Sequence, residues 1–333
     1  MNYDKSEEVL EKIKGVERIL INCHRNPDAD SIGSALALYK VLSQMGKRVE
    51  IICPTKIEWQ ALGFLKNFKR IKTINFSKFD FSKHQLLIVL DSSSWDMVSD
   101  TSDYAPPKIP VIVIDHHKTN EKFGEINLVD ENVTSTGELL YRVLEDWEVV
   151  IDKDTATALL TGIIGDTGTF SYPGVGAQTL KAAGLLMEKG ADKDKIVHYV
   201  FRSVDFKMVQ FWGEVIRNAQ VDEVYKFLWS AIPFRRFVEL GSLVGGRESA
   251  ASLFVQVVEG TDFGVIMVEQ EKKKLSISLR SRTGIDTSVL AKKLGGGGHR
   301  YASGARVEGV RFDDAVARVL TMIRESVNEA KRS

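Results

Sequence analysis

Cysteine is almost absent: the 333 residues include two, Cys23 and Cys53. Both stand in apolar, strand-like segments without paired spacing. That argues against a disulfide-stapled secreted scaffold and points to buried, reduced thiols. Net charge is absent as well, because 45 lysines and arginines balance 45 aspartates and glutamates. That argues against a broad basic face that grips long nucleic acid, while it leaves room for a short local phosphate pocket. No apolar run reaches the roughly 18 residues of a membrane span. The opening stretch MNYDKSEEVLEKIKGVERIL carries acidic residues throughout and has no apolar core. It does not read as a secretory signal, and the expected location is cytoplasmic. Low-complexity segments and fixed-period repeats are also missing.

What is present is an ordinary globular composition, 44% hydrophobic and 27% charged, long enough for two domains of about 150 residues each. The organising stretch is VIVIDHHKTN, residues 111–120. Four β-branched residues run into Asp115, His116 and His117, as expected for a strand buried on both faces of a parallel sheet. Ligands of open α/β sheets bind just outside the carboxyl ends of the strands. A strand over Arg18–Asn22 leads into His24, Pro27, Asp28 and Asp30, and then a helix to about Met45. Extended backbone before Pro27 would place Asp28 and Asp30 on one side; equally, Asp30 or Ser31 suits a helix N-cap. A buried strand over Leu86–Leu90 ends at Asp91, and a helix over Asp154–Ile164 runs into GDTGTF with Asp166. Small residues there let backbone approach a site closely, although Asp166 alone also suits a simple turn.

The expected fold is two-domain α/β: an N-terminal, mainly parallel sheet flanked by helices over 1–188, a helical connector over 189–219, and a smaller α/β domain over 220–333. The active site is expected in the cleft between the domains. The strand-end set His24, Asp28, Asp30, Asp91, Asp115, His116, His117 and Asp166 would repel itself unless cations neutralised it. Two divalent cations do this, and paired metals suit in-line phosphoryl displacement. Mixed imidazole and carboxylate ligation favours two Mn2+ over magnesium, with Co2+ or Zn2+ as substitutes. In the second domain, GGGGHR (295–300) is by itself a flexible turn or a cradle of backbone N–H groups for an anion. Arg280 and Arg282 are either solvated strand-end residues or guanidinium donors for phosphate.

HRNPDADSIGS, the Asp91 strand end, IDHH and GDTGTF resemble the four motifs of the DHH phosphoesterase family. GGGGHRYASGA resembles the signature of its DHH-associated C-terminal domain. The layout is most similar to the nanoRNase/pAp-phosphatase branch. The resemblance implies that His24 and Asp28 bind one metal and Asp30, His116 and Asp166 the other, with Asp91 bridging. It implies His117 beside the scissile phosphate and Asp115 orienting a histidine. It also implies substrate contacts from Arg280 and His299, and further from Arg282, Gly296, Gly297, Gly298, Arg300 and Ser303. The expected activity is phosphodiester hydrolysis of di- to pentanucleotides such as pApA to nucleoside monophosphates, with pAp phosphatase activity beside it. The substrate is thus a short oligonucleotide or dinucleotide, with no long nucleic acid and no membrane partner, and a homodimer is allowed. Three alternatives stand: a cyclic di-AMP phosphodiesterase, an inorganic pyrophosphatase, and a nucleotide-binding sensor without turnover. The glycine–histidine signature disfavours the pyrophosphatase, and the complete ligand set disfavours the sensor.

Overall fold

The computed structural model describes residues 2–57, 60–101, 105–298 and 300–332. The chain divides into two compact units, Met1–Ser203 and Val204–Ser333. The first contains α1 (Lys5–Lys14), β1 (Arg18–Asn22), α2 (Ala29–Gln44), β2 (Arg48–Cys53), β3 (Ile71–Thr73), β4 (Leu86–Leu90), α3 (Trp95–Ser99), β5 (Val111–Asp115), β6 (Ile126–Val129), α4 (Thr136–Asp146), α5 (Lys153–Asp166), α6 (Ala177–Glu188) and α7 (Lys193–Phe201). Its six strands lie in the order β3-β2-β1-β4-β5-β6, and every pairing is parallel.

The apolar runs explain the sheet. Along β1, Ile19 and Ile21 enter one core while Leu20 enters the other. Along β4, Leu86, Ile88 and Leu90 face the first core, Leu87 and Val89 the second. A strand with both faces covered has no polar side to show, hence its unbroken Ile/Leu/Val sequence. Each fully buried side chain of this kind contributes about 1.5–3 kcal/mol. Strand order reverses between β1 and β4. Such a reversal leaves a crevice at the carboxyl ends of the two strands, because their crossover connections leave in opposite directions. His24 follows β1 there, and Asp91 follows β4.

The second unit contains α8 (Phe206–Arg217), β7 (Gln220–Asp222), β8 (Phe227–Ile232), α9 (Phe234–Glu239), α10 (Gly246–Phe254), β9 (Phe263–Glu271), β10 (Lys274–Ser281), α11 (Thr287–Lys293), β11 (Gly297–Gly298), β12 (Ala302–Glu308) and α12 (Phe312–Arg332). Its sheet has the order β11-β12-β10-β9-β8-β7. Among the described residues only β8 and β9 pair in parallel; the other ladders are antiparallel. One face packs on α11 and α12 through Leu290, Ala315, Val319 and Ile323, the other on α8 to α10 through Phe211, Val215, Phe237 and Ala251. The stretch 189–219, expected as a connector, is shared between the units: α7 belongs to the first and α8 to the second. Among the described residues no helix is long and apolar enough to cross a membrane.

Candidate metal centre

Three strand ends and two helix ends bring the titratable side chains together. The ligand atoms of His24, Asp28 and Asp91 lie within 4.8 Å of one another, as do those of Asp30, His116 and Asp166, and those of Asp91, His116 and His117. Asp91 therefore belongs to two of the groups. It is 2% exposed and sits at φ +55°, a left-handed conformation that costs a non-glycine residue about 1–3 kcal/mol and concentrates at functional sites. Its Oδ2 is 3.4 Å from His24 Nε2, and its Oδ1 is 3.5 Å from His116 Nε2.

Each neighbouring side chain has its own anchor. Asp28 is the N-cap of α2, its Oδ1 accepting from the backbone N–H of Asp30 and Ser31. Asp30 lies inside the first turn, so the two carboxylates reach their positions by capping rather than by strand alternation. Asp30 is fully buried, and the N-terminus of α4 holds both of its oxygens. Thr136 N–H donates to Oδ2 at 2.6 Å and Gly137 N–H to Oδ1 at 2.8 Å, a placement the helix dipole favours for an anion. His24 Nδ1–H donates to the Arg25 carbonyl at 2.7 Å, which turns Nε2 toward Asp28 and Asp91. His117 Nδ1–H donates to Asp115 Oδ1 at 2.7 Å, and Asp115 Oδ2 accepts from Asn120 Nδ2 at 2.6 Å. Asp115 thus orients His117, not His116.

A close helix crossing sets Asp166 beside Asp30. A Cβ on Gly33 of α2 would lie 2.4 Å from the Ala158 carbonyl of α5, and one on Gly162 would lie 2.3 Å from Asp30 Oδ1. Gly162→Ala is therefore expected to push Asp30 off its amides. Overpacking of this kind costs about 1–3 kcal/mol, and the affinity of the cluster for a divalent cation should fall with it. Thermal midpoint and divalent-cation titration, measured together, check this; wild-type cation binding would show that Asp30 does not depend on the crossing.

The electrostatics are those of a cavity with excess negative charge. Burial raises Asp30 well above the carboxylate range, and the charges of Asp91 and Asp166 raise it further. Burial likewise brings Asp166 to about 6. For His24, burial pulls the imidazole down, yet Asp28 and Asp91 hold it well above its ordinary value; Asp166 and Asp91 do the same to His116. Asp91 goes the other way: burial would raise it, but His116 and His24 hold it well below the usual range. His116 Nε2 is buried with no hydrogen-bond partner, although Asp166 Oδ2 is 3.2 Å away. An orphaned imidazole nitrogen among carboxylates that resist ionisation fits divalent cations, which relieve both conditions.

In the second unit Arg280 Nε donates to Ser252 Oγ at 3.1 Å and Arg282 to the Thr261 carbonyl at 3.0 Å. Arg300 Nε donates to the Gly284 carbonyl at 2.7 Å. The glycine run is a strand edge: Gly297 pairs with Gly304, and Gly298 with Ser303. A Cβ at Gly296 would lie 2.1 Å from the Gly304 carbonyl, and Gly298 has φ +135°, so both positions require glycine. Ser303 Oγ donates inward to the Thr287 carbonyl at 2.8 Å. His299, expected to touch substrate, lies outside the described residues.

Residues 18–163 match the DHH family N-terminal domain, and residues 248–329 match the DHHA1 domain. The chain belongs to the DHH family. It is 28% identical to a bifunctional oligoribonuclease and PAP phosphatase of Thermus thermophilus, over 98% of this chain and 96% of the relative. It is 26% identical to a cyclic-di-AMP phosphodiesterase of Listeria monocytogenes, over 96% of this chain and 49% of the relative. The crystal structure of an exopolyphosphatase-related protein from Bacteroides fragilis superposes with a TM-score of 0.90 at 25% identity, covering 98% and 97% of the two chains. Three residues of the centre had no assigned part in the sequence reading: Asn120, Thr136 and Gly137. Asn120 stands in the organising stretch, and Thr136-Gly137 follows the N-cap Ser135 of a buried helix. Proximity to Asp30 and Asp91 is a tertiary fact that neither local pattern carries.

Proposed function

We propose that this protein is a divalent-cation-dependent phosphodiesterase that hydrolyses very short oligonucleotides to nucleoside monophosphates, with manganese as the metal. The observation that carries the reading is the set of three ligand groups at the strand-order reversal, linked pairwise through Asp91 and His116. The near full-length likeness to a bifunctional oligoribonuclease and PAP phosphatase supports it. His24 and Asp28 would hold one cation, Asp30, His116 and Asp166 the other, and Asp91 both. A divalent cation held by these residues would supply neutralisation of phosphate charge and activation of water for in-line attack on phosphorus. His117, whose Nδ1–H donates to Asp115, presents Nε2 to the substrate, and in its protonated form, which Asp115 and Asp91 favour, Nε2–H would donate to charge developing on the phosphate oxygens. Arg280, Arg282 and Arg300 supply guanidinium donors to substrate, His299 and the Gly296–Gly298 backbone complete the contact, and Ser303 braces that run through Thr287.

A second reading, cyclic di-AMP hydrolysis, uses the same chemistry and is favoured by the likeness to the Listeria enzyme. One panel separates the two: 5′-labelled RNAs from two to about twenty-four nucleotides, spanning one to several single-strand site sizes, run beside pApA, pAp and cyclic di-AMP with manganese. Turnover should peak on two- and three-mers and fall steeply with length, since a chain of zero net charge lacks the basic track of a long-strand binder. Equal rates on the longest and shortest RNAs would contradict the short-substrate reading. Turnover of cyclic di-AMP alone would replace it with the second.

A further inference from the structure

Thr136 touches two of the proposed ligands from different elements, and its two contacts are separable. Its backbone N–H donates to Asp30 Oδ2 at 2.6 Å, while its Oγ1 donates to Asp91 Oδ1 at 3.2 Å. The residue is fully buried. Asp30 is held by the backbone N–H groups of Thr136 and Gly137 and by the Ser34 hydroxyl at 3.3 Å, so a change of the side chain at 136 leaves those donors in place. The hydroxyl acts on Asp91 only.

The two Asp91 oxygens face different ways. Oδ2 looks toward His24 at 3.4 Å, whereas Oδ1 looks toward His116 at 3.5 Å and His117 at 3.7 Å. Thr136 therefore grips the oxygen on the side of the Asp30, His116 and Asp166 group. Among the described residues it is the one donor to Asp91 that does not titrate. A bond from a hydroxyl to a carboxylate is charge-assisted, and a β-branched side chain keeps few rotamers, so the contact anchors Asp91 Oδ1, while Oδ2 keeps its own contact with His24.

Resting on the metal-dependent reading above, we infer that Thr136 is a positioning residue. Its hydroxyl aims Asp91 Oδ1 and so sets the affinity of one cation subsite, that of Asp30, His116 and Asp166, while leaving the His24 and Asp28 subsite unchanged. Groups that only orient a metal ligand typically change affinity by about 10–100-fold.

The test is a manganese titration of the full chain, stripped by chelator, for wild type, Thr136→Val and Thr136→Ser, read as bound manganese by calorimetry and by the paramagnetic resonance of free Mn2+. Valine keeps the shape and removes the donor; serine keeps the donor and removes the methyl. Wild type should take up two equivalents. The valine variant should keep one near wild-type affinity and bind the other roughly 10–100-fold more weakly, and serine should restore it. Should valine prevent folding, Thr136→Ala is read in its place. Wild-type binding of both equivalents by the variant, equal weakening of both, or failure of serine to restore the lost one would each overturn the assignment. A wild-type chain that takes up no manganese would instead overturn the metal reading on which the inference rests.

Discussion

Asp91→Asn is expected to lose both activity and bound metal. The substitution keeps size and removes the charge of a buried carboxylate whose two oxygens face His24 on one side and His116 on the other. Those imidazoles hold Asp91 ionised against the penalty of burial, so the wild-type side chain is an anion throughout the neutral range. A neutral amide offers one weaker acceptor and turns an N–H toward one of the proposed cations. One subsite then lacks a ligand, and the other keeps only a weaker, uncharged one. The loss in rate should exceed the roughly 10–100-fold typical of groups that merely orient a ligand, with manganese content falling in parallel. Steady-state hydrolysis of pApA and metal analysis on the same samples check it. A variant with normal stoichiometry and rate would show that Asp91 bridges nothing.

His117→Ala should separate chemistry from metal binding. Its ring is about one third exposed, at 34% of the side chain, whereas Asp91 is buried beneath it. Nδ1 is committed to Asp115, and Asp115 in turn to Asn120. That chain fixes the tautomer and leaves Nε2 for the substrate. Positioned acid–base groups contribute about 10²–10⁴-fold, so kcat should drop within that range while the manganese stoichiometry stays unchanged. Loss of a cation in this variant would make His117 a ligand instead. An unchanged rate would remove it from the reaction.

Much of this centre is legible in the sequence because parallel strands write their position plainly. β1 spans the expected Arg18–Asn22 and β4 the expected Leu86–Leu90. β4 is an unbroken apolar run and β1 an Ile-Leu-Ile centre between Arg18 and Asn22, and each delivers the chain to a polar residue at the carboxyl edge. Asp28 and Asp30 were harder. Two-residue spacing before a helix admits an extended reading, and only the capping bonds from Asp30 and Ser31 show which geometry holds. β6, with only Ile126–Val129, is too short for its own pattern to stand out. The glycine run reads locally as a turn, whereas pairing with β12 makes it a strand edge; that partner is a tertiary one. The same limit hid Thr136, Gly137 and Asn120. Their own neighbours in sequence satisfy ordinary capping and turn rules, and their importance comes from what α4 and the β5 loop are packed against. Gly162 was legible in part, since small residues before Asp166 signal close approach, but not that Asp30 is what approaches.

The central claim is that two divalent cations held by this cluster make the protein a phosphodiesterase. The most direct measurement is the rate of pApA hydrolysis by chelator-stripped protein as manganese is added back in known equivalents per chain. The rate should start near zero, rise with each equivalent and level off at two, with cobalt or zinc restoring less. Full activity in the stripped protein, or a plateau reached at a single equivalent, would contradict the account.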